Sequence, residues 1–226
     1  MTFLELVQEL QSKAGVTGPQ VSSVLNQSGM FLKLVNWTKQ AWTAIQRKRE
    51  DWLFMQGTHT GTLVVGTQEY DFTALAPGLA WTDVRKFDPK SWRIEEAGTD
   101  RSYMEYQTWD WFRQAYGPAD SAAQGRPSVV TEPKRHYIRF NIAPDKAYVV
   151  TVDYTKTATE LAANADEPDF PEEFHMAIVW VALSMYGYHE GAPEAIEQGD
   201  REWAVMYRDM VRTQTRPLLW QPDPLA

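Results

Sequence analysis

Residues 42–65 read WTAIQRKREDWLFMQGTHTGTLVV, and the periodicity of the chain changes within them. Upstream, Phe31, Leu34, Val35, Thr38, Trp42 and Ile45 recur at the 3.6-residue period and predict a helix over 29–50. Trp37, Ala41 and Ala44 widen its apolar surface, and Ser28 is placed to cap it. The helix closes on Arg47-Lys48-Arg49, cations that suit the negative end of a helix dipole; this reading is preferred to a phosphate site. Asp51 to Phe54 seal the helix end. From about Gly57 to about Thr157 helical spacing gives way to short β-type runs between turn residues. The candidates are 62–65, 69–72, 84–87, 91–94, 103–106, 128–131, 136–140 and 148–154. The last is the cleanest: Tyr148, Val150, Val152 and Tyr154 alternate with Val149, Thr151 and Asp153. Residues 141–146 read as the hairpin loop between the final two strands. Thr108 to Tyr116 is one helical interruption, and 117–127 reads as a mobile loop.

Outward from this insertion, both flanks are helical. Thr2 and Glu5 form a capping box ahead of the stripe Phe3, Leu6, Val7 and Leu10, and Gly15 is placed to end that helix. Helical character returns near Asp169, with Pro171, Glu172 and Glu173 suited to a helix start. Phe174, Ala177, Ile178, Val181, Ala182 and Met185 form a stripe, and Val179, Trp180, Leu183 and Tyr186 cover much of the rest. A helix apolar nearly all round is a central one. Gly187 and Gly191 are expected to loosen its end. Pro193 opens a last helix with Ile196, Trp203, Met206, Tyr207 and Met210 on its inner side. The expected fold is therefore α+β: an α-helical bundle built from the N- and C-terminal helices, with an inserted small antiparallel β-sandwich or barrel. The boundaries read as 1–56 plus 158–212 for the bundle, 57–157 for the insertion and 213–226 for an extended, proline-containing tail.

The formal net charge is −8, unevenly spread: residues 159–202 hold eleven acids and the single base Arg201. Such a block repels nucleic-acid backbones and disfavours a sequence-reading DNA protein. Glu172, Glu173, Glu190, Glu194 and Glu197 are its candidate channel or interface face. The absence of cysteine excludes disulfides and thiol chemistry. No apolar run approaches the roughly 20 residues of a membrane span, and the expectation is a protein made and used in the cytoplasm. Ten Trp, ten Tyr and nine Phe point either to large interfaces or to an aromatic core.

No motif for catalysis emerges. Walker, dinucleotide, H-E-x-x-H and Gly-x-Ser-x-Gly patterns do not occur. His175 and His189 are about 21 Å apart along one helix, too far to share a metal, so no cofactor or metal is expected. The enzyme alternative is a glycoside hydrolase, or a non-catalytic glycan-binding module, using Glu95, Glu96, Glu105 and Asp110 among Trp92, Tyr103, Tyr106, Trp109 and Trp111.

Two stretches carry a resemblance. Leu34 to Phe54, LVNWTKQAWTAIQRKREDWLF, and Asp166 to Leu183, DEPDFPEEFHMAIVWVAL, resemble the head-to-tail adaptor proteins of tailed bacteriophages. Tyr154-Thr155-Lys156, Glu160-Leu161, Gly125 to Pro127, Ala143 to Lys146 and the opening Phe3 to Leu6 are similar to the same pattern, which touches most of 1–210 and leaves the tail after Arg212 unmatched. The resemblance implies a non-enzymatic virion protein of the neck, assembled in the host cytoplasm. It implies a ring, usually of about twelve identical neighbouring subunits, beneath the portal protein. Such a ring extends the channel for genomic DNA without sequence-specific binding and offers a platform for tail, nozzle or tail-tube proteins. Leu218, Leu219 and Trp220 lie on a proline-stiffened segment with no core of its own and are expected to dock on the portal or a neighbouring subunit.

Overall fold

The computed structural model describes residues 1–73, 79–96, 98–117 and 123–216, with the backbone alone at 99. The chain divides into two compact units. One comprises Met1–Met55 and the segment from Ala158 onward; the other is Gln56–Thr157.

The first unit holds four helices: α1 (Phe3–Lys13), α2 (Gly29–Lys48), α4 (Met176–Glu190) and α5 (Pro193–Gln214). Both halves of the capping box of α1 form: the Thr2 hydroxyl accepts from Glu5 N–H, and the Glu5 carboxylate accepts from Thr2 N–H. The next orphan donors of that terminus are met from far along the chain. Phe3 N–H donates to Asp166 O at 2.7 Å, and Leu4 N–H to Asn164 O at 3.2 Å. Gly15 follows the end of α1 with φ +63, the left-handed conformation that glycine adopts without cost. Ser28 sits at the N-cap of α2, but its hydroxyl makes no capping bond.

α4 is the central element, packed against α1, α2 and α5. Ala177, Ile178, Val179, Ala182 and Leu183 are fully buried on it, facing Leu6, Leu10, Leu34, Trp42 and Ile45 in one core. Burying each such aliphatic side chain stabilises by about 1.5–3 kcal/mol relative to leaving it in water. The expectation for Gly187 needs correction. It does not loosen the helix; it is buried where α5 crosses, and a Cβ there would stand 2.7 Å from the Ile196 side chain. Gly199 serves α5 in the same way, with a Cβ position 2.4 Å from Ser184 Oγ and 2.7 Å from Trp180 O. Gly191 does end α4, as a left-handed cap with φ +67. α5 runs two residues beyond the expected limit at 212.

The second unit contains eleven strands among the described residues: β1 (Gln56–Thr62), β2 (Glu69–Asp71), β3 (Val84–Phe87), β4 (Arg93–Glu96), β5 (Thr99–Tyr103), β6 (Glu105–Tyr106), β7 (Gln124–Gly125), β8 (Val129–Thr131), β9 (Tyr137–Phe140), β10 (Ala143–Pro144) and β11 (Val149–Lys156). One short helix, α3 (Trp109–Tyr116), lies between β6 and β7. β11 is the spine of the larger sheet, whose order is β1-β11-β4-β5 with β3 also on β11. A second sheet runs β2-β9-β8-β6, and β10 and β7 form a two-stranded pair. Pairing is mostly antiparallel; β6–β8 and β7–β10 are parallel, and no closed barrel forms. Val150, Val152 and Tyr154 of β11 turn inward beside Ile94, Trp92 and Phe140, as the alternation predicts.

Three readings of this region are corrected. The segment 141–146 is not a hairpin loop: β9 and β11 lie in different sheets, and the chain crosses from one to the other. The first strand is the polar run 56–62, and it meets the expected 62–65 only at Thr62. Within the expected loop 117–127, Gln124–Gly125 is a strand, while residues 118–122 lie outside the described ones.

Candidate functional site

The acids singled out from the sequence all lie at the surface of the helical unit. Glu172 and Glu173 occupy the short 3-10 turn ahead of α4. Glu190 is the last residue of α4, and Glu194 and Glu197 fall in the first turns of α5. α4 has 15 residues, so about 21 Å of helix separates the two groups. They form two acidic ends rather than one continuous stripe. α5 itself is polarised: its first half holds Glu194, Glu197, Asp200 and Glu202 against Arg201, and its second half holds Arg208 and Arg212 against Asp209. The excess sign at each end is the one the helix dipole favours. Asp200 is structural, accepting from Ser184 Oγ at 2.8 Å across the α4–α5 contact. Asp166 is structural too. Its carboxylate accepts from the N–H groups of Ala163 and Ala162, which hold it below the usual carboxylate range.

Each carboxylate of the glycan alternative is engaged by a near neighbour. Glu95 pairs with Arg101 at 2.8 Å, Glu96 with Lys146 at 2.8 Å and Asp110 with Arg113 at 3.1 Å, and Glu105 accepts from Gln107. Trp92, which a sugar platform would expose, is fully buried against Phe87 and Trp81. Trp42, Trp52 and Trp81 are buried as well, so much of the aromatic content is core. Trp111 and Tyr116 of α3 and Tyr103 of β5 remain exposed. Arg49 of the basic triplet is held by Asp51 through two 2.8 Å bonds, and Lys48 stands over the Tyr207 ring. No described group of three or more His, Asp or Glu is placed to hold a metal ion. No described helix is long and apolar enough to cross a membrane.

Some polar residues that the sequence did not flag organise both units. In the helical unit the buried Gln46 side chain acts as a piece of backbone. Its amide donates to Thr159 O at 2.9 Å and accepts from Thr159 N–H at 2.8 Å, pinning the returning chain to α2. In the sheet unit Arg126 fills the irregularity between β4 and β5, donating to Ile94 O, Asp100 O and Ser102 Oγ and pairing with the Asp100 carboxylate. Asp83 joins three elements: His59 Nε2 lies 2.7 Å from one oxygen, and Tyr154 OH donates to the other at 2.5 Å. The His59 ring is stacked between Trp81 and Tyr154. Burial and the Asp83 carboxylate push the Tyr154 phenol far above its usual range, so it stays a donor. The cluster latches β1 and β11 to the turn before β3.

The helical unit thus carries two acidic ends, and in the inserted β unit the four acids of the glycan alternative each have a side-chain partner. The model describing the SU10 adaptor protein matches residues 1–223. The chain belongs to the SU10 adaptor protein family. This is a phage head-to-tail adaptor family, so the adaptor is a structural component of a virion. The match covers both units and runs past Arg212, where the resemblance read from the sequence had stopped. No curated protein matches the chain.

Proposed function

We propose that this adaptor forms a ring, of about twelve copies, beneath the portal protein of a tailed phage. In this reading the ring sits in the neck, assembles in the host cytoplasm, extends the DNA channel and presents a platform to tail, nozzle or tail-tube proteins. The observation that carries the reading is the family match over nearly the whole chain. The charge distribution supports it. A channel lining must let DNA slide, and acidic side chains such as Glu172, Glu173, Glu190, Glu194 and Glu197 repel phosphates and avoid counterion-release binding. Either acidic end of α4 suits a lumen or a basic portal surface. Leu218, Leu219 and Trp220 lie outside the described residues; they are proposed to dock on the portal or a neighbouring subunit, because exposed Leu-Leu-Trp is costly in water.

The test is to mix the protein with the assembled portal ring of the same source and weigh the complex by native mass spectrometry. About twelve added masses of 26.0 kDa per portal are expected. Portal alone at equilibrium, with the tail intact, overturns the reading. Deleting residues 214–226 is expected to abolish binding; unchanged binding removes the docking role of the tail.

A further inference from the structure

β1 and β5 are the two outermost strands of the β1-β11-β4-β5 sheet. β1 pairs with β11 in unbroken register from Gln56↔Thr155 to Thr62↔Val149. Leu63 N–H continues that ladder to Tyr148 O at 2.8 Å. In an antiparallel ladder the hydrogen-bonded residues alternate. Gly57, His59, Gly61 and Leu63 therefore bond to β11, and Thr58, Thr60 and Thr62 turn their N–H and C=O groups outward. The next outward residue, Val64, is satisfied within the chain: its N–H donates to Tyr70 OH at 2.9 Å, and Tyr70 OH donates to its carbonyl at 3.1 Å. No described strand covers the three threonines.

Edge strands of proteins that stay single are blunted by lysine, proline or a bulge. β1 has none of the three. At the opposite edge the same parity holds. Met104 N–H donates to Trp92 O, so Ile94 and Ser102 are the next bonded pair, and Arg101 and Tyr103 face outward. β5 runs opposite to β1, through β4 and β11.

We propose that the outer edge of β1 takes the β5 edge of a second copy of this chain, giving neighbouring subunits one continuous antiparallel sheet. The inference rests on the ring reading above, and it supplies the head-to-tail contact between two different surfaces that a closed ring requires. Centring Thr60 on Arg101 aligns Thr58 with Tyr103, the two outward positions of β5 before its register shift toward Thr99. Faces agree in this register. Thr58 and Thr60 share the solvent face with Asp153 and Thr151, through Thr58 Oγ1 to Asp153 at 2.6 Å and Thr60 Oγ1 to Thr151 Oγ1 at 3.3 Å. Arg101 reaches Glu95 on that same face. Charges agree as well, because β1 carries no lysine, arginine or carboxylate and Asp100 and Arg101 meet no like charge on it. Tyr103, 74% exposed in the single chain, gains a β-branched partner in Thr58.

The experiment follows amide exchange in the free chain and in the portal-assembled complex. The Thr58 and Thr60 amides are expected to slow roughly tenfold or more on assembly, while His59 and Gly61 are protected in both states. Because the chain has no cysteine, Thr60→Cys with Arg101→Cys reports the pairing directly and is expected to give a ladder of disulfide-linked multimers. Thr60→Pro removes an outward donor without touching the β11 ladder, and is expected to abolish multimers. Cross-linked dimers from Thr60→Cys alone would mean two-fold β1–β1 pairing and overturn the β5 partner. A ring that assembles with fast threonine amides and no cross-link overturns the shared sheet and leaves the adaptor ring standing. Absence of any multimer on the portal overturns both.

Discussion

The helical unit carries seventeen acids against ten bases, whereas the inserted unit carries thirteen against twelve. Their cores differ as much as their charge. In the helices a central apolar rod, α4, is wrapped by three others, and short spacing between α4 and α5 is obtained with glycines. In the sheets, β11 gathers β1, β3 and β4 from positions some 50 to 100 residues earlier in the chain. Net charge is thus placed on the unit whose helices are tightly packed, and the nearly neutral unit is the one whose backbone groups remain open at an edge. Charge excess keeps surfaces apart, and an uncharged edge permits association.

The sharpest way to break this division is to remove one buried indole from each side. Trp42 stacks on Phe170 at 5.0 Å in the helical core, and Trp92 lies 5.1 Å from Phe87 in the sheet core. Trp42→Ala and Trp92→Ala are each expected to cost about 3–5 kcal/mol. Denaturant melts followed at 222 nm should show Trp42→Ala losing its helical transition early. Trp92→Ala should keep that transition and lose the near-ultraviolet signal of its aromatic cluster first. One common transition in both variants would make the chain a single cooperative body and end the comparison.

Glycine substitutions act on the same contrast more gently. At Gly199 an added Cβ meets backbone, Trp180 O at 2.7 Å and Ser184 N at 2.9 Å, so α5 must move off α4. At Gly57 it meets the far end of the Tyr154 side chain at 2.7 Å. That ring can swing, at the expense of its bond to Asp83 and its stack on His59. Gly199→Ala is expected to cost about 1–3 kcal/mol, and Gly57→Ala less, by urea denaturation. Equal losses would show that the latch at Asp83 is as rigid as the helix contact.

The same contrast explains what could be read from the sequence. The helices were legible because a 3.6-residue stripe is a local signal: Phe31 to Ile45 and Phe174 to Met185 state their buried faces without reference to any other segment. β11 was legible through its alternation. β1 was not, since Thr and Gly alternate there with little apolar residue to mark a buried face. The turn chemistry of 141–146 is genuine, but local turn signals do not say which sheet the next strand joins. The roles of Gln46 and Arg126 were not legible because each is defined by partners distant in sequence, 113 positions away for Thr159. Glu172, Glu173, Glu190, Glu194 and Glu197 were legible as acids and as helix ends. Their division into two groups followed only once α4 and α5 were placed.

Proton uptake gives the finest separation of the two units. His175 is buried in the helical unit, with Nε2 2.9 Å from Phe170 O and Nδ1 2.8 Å from the Met1 nitrogen. Burial lowers its pKa below 6.5; the Phe170 carbonyl and Glu172 oppose that and do not prevail. The unfolded chain therefore binds this proton more readily than the folded one. Stability from this group is whole above about pH 6.5 and falls as pH drops from there toward the folded pKa. Asp83 in the sheet unit behaves differently. Burial alone would raise its pKa, but the bonds from Tyr154 and His59 lower it below 3.8, so its contribution persists until pH falls below that value. Between pH 7 and 5 the helical transition of the wild-type protein should shift to lower urea. His175→Gln, whose amide can still donate to Phe170 O, should flatten that shift, and Asp83→Asn should leave it unchanged. A shift that survives His175→Gln would assign the acid sensitivity of the helices to their surface carboxylates instead.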